Sequence, residues 1–419
     1  MTEERRAIEA LRAGVPNRAA VRLMGSTSQA ISEHFDATLR AAWAGLAQDR
    51  PVGRASLIIE GGFGSGKTHL LTYLQEQALQ QGFVVSRLAI SKETPLFDTE
   101  KMVIAAMRAA MVPRQNDDAM TAIVASLKPN TERYTVLEQW AADPTNGLSP
   151  IFPALLYLIP RQVATPEVVD QIARFFAGEK LNVNQIRQWL REDGAHRLFA
   201  LKPVRPAELA VQRLRFAPRL MAAAGHAGWC VLLDEVELIG RYSLLQRGRS
   251  YAELARWLGL DPSVAVTGLA TVAALTDDFA DVVINGRLDD EKAPSRLLTK
   301  GEREAARLAE LGVRALQRRD PARRLTPPDR DALLDCLART RRLYRKAYAW
   351  DPPDIEVGDV LASKSMRQYI KSWITEWDLL RLYGEKVEIE VDTYPIESDY
   401  SENPDIAIAT EAPDEDGTG

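Results

Sequence analysis

Residues 61–68 read Gly-Gly-Phe-Gly-Ser-Gly-Lys-Thr and fill every position of the pattern G-x-x-x-x-G-K-[ST]. Those residue types at that spacing suit the gripping of a polyphosphate. Glycines at 61, 62, 64 and 66 let the backbone turn its N–H groups inward, toward a phosphate at the N-terminus of the next helix. Lys67 is placed to bridge β- and γ-phosphate oxygens, and the Thr68 hydroxyl to ligate Mg²⁺. The candidate ATP contacts are therefore Gly61, Gly62, Phe63, Gly64, Ser65, Gly66, Lys67, Thr68 and His69. A Gly-rich turn alone is a weak signal, but this one has the context of a real site. The strand-like run Ala55–Glu60 precedes it and the helix-like run His69–Leu79 follows.

A second chemical pair stands far downstream. In Gly228-Trp-Cys-Val-Leu-Leu-Asp-Glu-Val-Glu237 four apolar residues, Cys230 to Leu233, lead into Asp234 and Glu235. This is the form of a buried parallel strand ending in acids at its C-terminal edge, where open α/β sheets bind ligands. Asp234 would hold the Mg²⁺ through its water shell, and Glu235 would polarise the attacking water. Glu237 suits loop contacts better than chemistry. The apolar run Ser263–Leu269 reads as another strand, on which Thr267 would hydrogen-bond the γ-phosphate or the water; Thr271 is the alternative sensor. No other constellation competes. His34, His69, His196 and His226 are scattered, and neither a nuclease-type metal cluster nor a nucleophile elbow is visible.

The elements that must position these residues follow a β-α-β order. Helical segments at Glu3–Ala13 and Arg18–Leu46 precede a strand at about Ala55–Glu60, a helix at Thr68–Gln81, a strand at Phe83–Ile90 and a helix at Lys101–Met111. From about 112 to 220 the pattern is helical with Pro-containing breaks, which reads as an insertion accounting for the long separation of Lys67 from Asp234. Trp140 and Trp189 are its expected core anchors. The fold class is thus α/β, a parallel sheet flanked by helices.

At 419 residues, 46% hydrophobic and 26% charged, the chain is long enough for two or three domains. Two cysteines, Cys230 and Cys336, make neither a disulfide framework nor a zinc site, so a reducing cytoplasm fits best. The Met-Thr-Glu-Glu-Arg-Arg start lacks a signal-peptide core, and no apolar run approaches the roughly 18 residues of a membrane span. A soluble protein without a membrane partner is expected. The net charge of −5 is unevenly spread. Residues 385–419 are acidic and poor in bulky apolar groups, which predicts a disordered tail. The rest is net basic, with an arginine-rich stretch at Lys300–Lys346 that is either a solvated helix face or a DNA surface.

With these pieces in place the chain resembles the AAA+ class, and more narrowly the ATP-binding proteins of BREX phage-defence systems, the BrxC/BrxD group, most of all its short BrxD-type members. The resemblance covers roughly residues 5–384. It rests on Glu9-Ala-Leu-Arg-Ala-Gly-Val-Pro-Asn-Arg18, Glu60–Leu70, Leu232–Glu237 with Gln246-Arg-Gly-Arg-Ser-Tyr251, Leu343–Trp350, and Ser365–Ile370 with Leu379-Leu380. It implies an origin-recognition-like AAA+ P-loop NTPase core at 51–300 behind N-terminal helices at 1–50, a C-terminal helical lid at 301–384, and the acidic tail beyond. Arg367 is then the lid residue that touches the nucleotide. Arg296, in the loop-like stretch after the sensor strand, is the candidate finger offered to a neighbouring subunit, with Arg287 second. The implied activity is ATP hydrolysis in anti-phage defence, by a homo-oligomer acting on DNA with other defence proteins such as a helicase. The alternative is a nucleotide-dependent switch that recruits a helicase or nuclease with little turnover of its own.

Overall fold

The computed structural model describes residues 2–14, 18–25, 28–63, 65–113, 118–318, 320, 323–325, 329–356, 365–384 and 399–403. Its centre is a five-stranded sheet in the order β1-β5-β4-β2-β3. The strands are β1 (Ser56–Glu60), β2 (Val84–Ala89), β3 (Ala110–Met111), β4 (Trp229–Asp234) and β5 (Leu269–Leu275). β1, β5, β4 and β2 pair in parallel, and the short β3 closes the far edge antiparallel to β2.

Period-two alternation sends successive side chains to opposite faces, and helices cover both faces. Leu57, Ile59, Cys230, Leu232, Val272 and Ala274 face one layer, where α3 (Gln29–Gln48) contributes Phe35 and Leu39 and α4 (Lys67–Gln80) contributes Leu71 and Leu74. Ile58, Val231, Leu233 and Ala273 face the other layer. Burial on both sides is why β1 and β4 read as unbroken apolar runs. Cys230 is fully enclosed, and burial pushes its thiol well above the ordinary range, in keeping with an inert structural residue.

The second layer is built from α5 (Thr99–Arg108), the helices of the long insertion, and α12 to α14. The insertion comprises α6 (Ala119–Ala125), α7 (Glu132–Ala142), α8 (Ile151–Leu158), α9 (Pro166–Phe176), α10 (Val183–Glu192) and α11 (Pro206–Ala223). Its core is aromatic: Phe216 sits with ring centroids 4.9 Å from both Phe152 and Phe176. That core runs on into the sheet's own, and Trp189 is buried in it. Trp140 is only partly buried, beneath the Arg219 guanidinium at 4.2 Å.

Helices α12 (Leu244–Trp257), α13 (Asp289–Thr299) and α14 (Arg303–Gln317) pack on one another within this same layer. The boundary at residue 301 expected for the lid therefore differs from the packing, because Ala306, Leu308, Ala309 and Val313 of α14 join the main core. A separate body is formed by α1 (Glu3–Ala13), α2 (Arg18–Met24), α15 (Arg330–Tyr348) and α16 (Met366–Tyr383), around Ile8, Leu11, Leu333, Tyr344, Trp373 and Trp377. At its heart Asp378 accepts from Arg12 Nε at 2.8 Å and Tyr344 Oη at 2.7 Å, while Arg12 also donates to Tyr348 Oη at 2.9 Å. So α1 and α2 pack with the C-terminal helices, while α3 leads into the sheet.

One strand is displaced from its expected place. The run Ser263–Leu269 is not the strand; β5 begins at Leu269, immediately after Gly268, whose φ of +84° turns the chain. A side chain there would also strike Leu46, 2.6 Å from an added Cβ. Among the described residues no helix is long and apolar enough to cross a membrane.

Candidate functional site

β1 delivers the glycine loop and α4 starts on it. Gly66 precedes the helix with φ +97°, and a Cβ on Gly61 would lie 2.6 Å from Ser65 Oγ and 3.0 Å from Leu325 Cβ, so only glycine fits there. Gly64 lies outside the described residues, and Phe63 is exposed. Lys67 is buried, and its ammonium donates to the carbonyls of Gly61 at 2.7 Å and Gly62 at 3.2 Å. These are neutral acceptors, so its positive charge is not cancelled by an ion pair. Thr68 follows in the first turn of α4.

Register brings the acids to the same edge. Glu60 pairs with Leu275 and Leu233 with Ala273, so the end of β4 lies level with the end of β1, and β5 lies between them. Asp234 is held by Arg87 of β2, whose guanidinium donates to Asp234 Oδ2 at 2.8 Å and to Thr72 Oγ1 of α4 at 2.7 Å. Arg87 was missed in the sequence, although a lone arginine inside Val84–Ile90 is a signal that could have found it. Glu235 adopts a left-handed conformation, φ +57°, rare for a residue with a side chain and of a kind that gathers at functional sites. The turn leaves its carboxylate exposed and leads into a 3-10 turn, Val236–Arg241. Burial and the neighbouring Asp234 charge raise its pKa, against Arg87 and Lys67, which lower it.

Glu237 is the larger surprise. Its Oε2 is shut off from solvent with no hydrogen-bond partner among the described residues. Burial, opposed by Lys67 and helped by Asp234 and Glu235, pushes its pKa up to about 7. An acceptor left unpaired beside a lysine is poised for a donor such as water. The raised value also carries a stability prediction. The folded chain holds a proton that the unfolded chain releases near pH 4.5, so the stability in question is present below that pH and lost as pH rises through about 7. Denaturant titrations at pH 5 and pH 8 should show wild type losing up to about 3 kcal/mol more than Glu237→Gln over that interval. Equal losses would mean that Glu237 is solvated.

The expected sensor needs correction. Thr267 precedes Gly268 and β5, at the N-terminal edge of the sheet, where its methyl approaches Gly45 of α3. Thr271 is buried mid-strand opposite Ser56. The polar residue at the C-terminal end of β5 is Thr276, 3% exposed, and beside it Gly61 N donates to Leu275 O at 3.2 Å. Arg296 is also displaced from its expected setting: it lies exposed on α13, not in a loop. Arg287 is engaged within the chain, donating to Gly240 O at 2.8 Å and to Tyr400 O. Arg324 was not anticipated. Its backbone bridges to Glu60, and its side chain pairs with Asp277 at 2.6 Å.

A cleft opens beside the loop. Ser65, Gly66 and His69 line one side, Leu11 and Met24 another, and Arg367 with Ile370 of α16 a third. His69 is half-buried; its desolvation lowers its pKa, and Arg367 lowers it further against a hydrogen bond to the Gly25 backbone. The loop, His69 and Arg367 are thus brought together; Thr267 and Arg296 are not. Among the described residues no cluster of three or more His, Cys, Asp or Glu could hold a metal ion.

Comparison with curated proteins and with solved structures gives no match. The model of the family described as BREX system ATP-binding protein BrxC/D matches residues 2–146, which include α1, α2, the glycine loop and β2. That match falls on the residues that build the loop and one wall of the cleft, and over them the chain is similar to the BrxC/D group.

Proposed function

We propose that this chain is an ATP-hydrolysing P-loop protein of the AAA+ type, BrxD-like, acting in BREX phage defence. The observation that carries the reading is the shared edge. A glycine loop with a buried, uncancelled lysine and two acids at the end of β4 meet there, separated by one intervening strand. The residues fit ATP with Mg²⁺: the Glu237 Oε2 oxygen lacks a donor among the described residues, and the space a Cβ on Gly66 would enter is open. Thr68 and Asp234 would hold the ion, which supplies charge neutralisation for the phosphates when bound.

The chain's own groups divide the work. Lys67 neutralises charge on the phosphates, the apolar wall of Leu11, Met24 and Ile370 takes the base, and Arg367 reaches in from α16. Arg87 holds Asp234 against α4 and so fixes the edge. Glu235, facing solvent, orients the attacking water, and Thr276 takes the sensor role first assigned to Thr267. Arg296, exposed on α13, is the candidate finger for a neighbouring copy in a homo-oligomer. Turnover per subunit should then rise with protein concentration. Glu235→Gln should keep ATP binding while losing about 10²-fold or more in turnover. Equal slow rates for both proteins at all concentrations would instead favour the switch reading, in which ATP moves the lid and recruits a helicase.

DNA is the proposed substrate surface, with other defence proteins as partners in the cytoplasm. Internal pairing narrows where DNA would bind. Arg307, Arg314, Arg339 and Arg341 are tied to Asp261, Glu310, Asp335 and Asp354, whereas Arg342, Arg345 and Lys346 stand exposed on α15, Arg345 reaching Asp351 at 3.9 Å. Arg319 lies outside the described residues. Salt-dependent binding that survives charge reversal at these three exposed residues would exclude that face.

A further inference from the structure

The segment Asp399–Asn403, within the stretch expected to be disordered, is seated on the catalytic edge. Tyr400 is 6% exposed, with its ring edge-on to Phe279 at 5.9 Å. Gly240, in the turn after β4, is packed so closely that an added Cβ would lie 2.9 Å from the Tyr400 ring. Three arginines from separate places hold the segment. Arg241 donates to Asp399 O at 2.9 Å, Arg247 to Glu402 Oε1 at 2.6 Å, and Arg287 to Tyr400 O. Arg247 belongs to the Gln246–Tyr251 motif and is itself fixed by buried Asp289.

The hydroxyl is what links this socket to chemistry. Tyr400 Oη lies 2.5 Å from Thr276 Oγ1 and donates to Asp278 Oδ1 at 2.8 Å. Thr276 directly follows Leu275, whose carbonyl receives the Gly61 N–H, and Asp277 Oδ1 would stand 3.9 Å from a Cβ on Gly62. A single hydroxyl therefore pins the loop after β5 at two points flanking Asp277. The same loop is also tied by the Arg324–Asp277 pair and by Val282 N donating to Asp278 O at 2.9 Å.

We propose that Asp399–Asn403 is a docked segment of this chain and that Tyr400 is a positioning residue, holding Thr276 and Asp278 in register with the phosphate loop. Docking and nucleotide binding are then coupled, each favouring the other. The inference rests on the ATP-site reading.

The test uses the full chain. Tyr400→Phe keeps the ring and removes the hydroxyl; turnover should fall about tenfold, the worth of one well-placed hydrogen bond, with KM changed less than about twofold. Thr276→Val, which also removes the sensor hydroxyl, should lose at least as much, and the double variant should be no slower than Thr276→Val alone. A Tyr400→Phe rate equal to wild type, or additive losses, would overturn the proposal. A second measurement separates this from failure of the hydrolase reading. Amide hydrogen exchange across residues 399–403 should slow when ATP is added, and Tyr400→Ala should weaken ATP binding about fivefold or more, even if wild type turns over no ATP. Exchange indifferent to ATP, together with unchanged affinity in Tyr400→Ala, would overturn the coupling.

Discussion

Lys67→Ala should lower ATP affinity by about 10²–10³-fold and leave turnover at background, while the circular dichroism spectrum and melting profile stay those of wild type. The size follows from the lysine's surroundings. Its ammonium is buried and donates to the Gly61 and Gly62 carbonyls, with no ion pair to a carboxylate among the described residues, so its charge is available to a phosphate. Two charge-assisted hydrogen bonds at about 1.5–3 kcal/mol each, lost together, give a change of that order. The fold should survive because the lysine's partners are two carbonyls of the loop and no ion pair is broken. Calorimetric titration with ATP settles the matter: affinity within about threefold of wild type would mean that the loop does not hold the phosphates.

The second large effect concerns stability. Asp289 is wholly enclosed and accepts from Arg247 Nε at 2.7 Å, Arg247 Nη2 at 2.9 Å and Tyr251 Oη at 2.7 Å. Burial and the Asp289 charge raise the Tyr251 pKa well above its ordinary value, and that carboxylate also keeps the Arg247 guanidinium firmly protonated against its own desolvation. Asp289→Ala leaves that buried guanidinium with only Glu402 and the Tyr242 carbonyl among the described residues, and should cost about 3–5 kcal/mol, a fall of roughly 3–6 °C in melting temperature. The double change Arg247→Met with Asp289→Leu should recover much of the loss, because it removes the unpaired charge as well as the pair. A single variant that melts with wild type would show the triad to be solvated.

The parts of the site legible in the sequence are those with local causes. The loop at 61–68 announces itself by spacing, and β1 and β4 by apolar runs that burial on both faces demands. β5 was misplaced because Leu269-Ala-Thr-Val-Ala-Ala-Leu275 is alanine-rich and shows weak strand propensity, whereas Ser263–Val266 looks stronger. Only pairing with both β1 and β4 makes it a strand, and the sensor position moved with it. Glu237 was passed over because no periodicity reveals which of two acids is shut away from water. The segment at 399–403 has the composition of a solvated tail, and its seat is made by Arg241, Arg247 and Arg287, more than a hundred residues earlier. Its anchoring is a matter of three distant cations, invisible to composition.

The union of α1 and α2 with α15 and α16 sets a timetable for the chain's synthesis. Arg12 meets Asp378 across 366 residues, and Ile8 and Leu11 find their apolar cover only on helices beginning at Arg330 and Met366. At about 5–20 residues per second, the first two helices leave the ribosome tens of seconds before their partners exist. In that interval the sheet and the insertion can condense, while the amino-terminal amphipathic face stays open to chaperones or to a neighbouring chain's finished helices. A pulse of synthesis followed by proteolysis should therefore find residues 3–24 vulnerable until the last helix emerges, and the cleft beside the phosphate loop should be the last feature of the molecule to form.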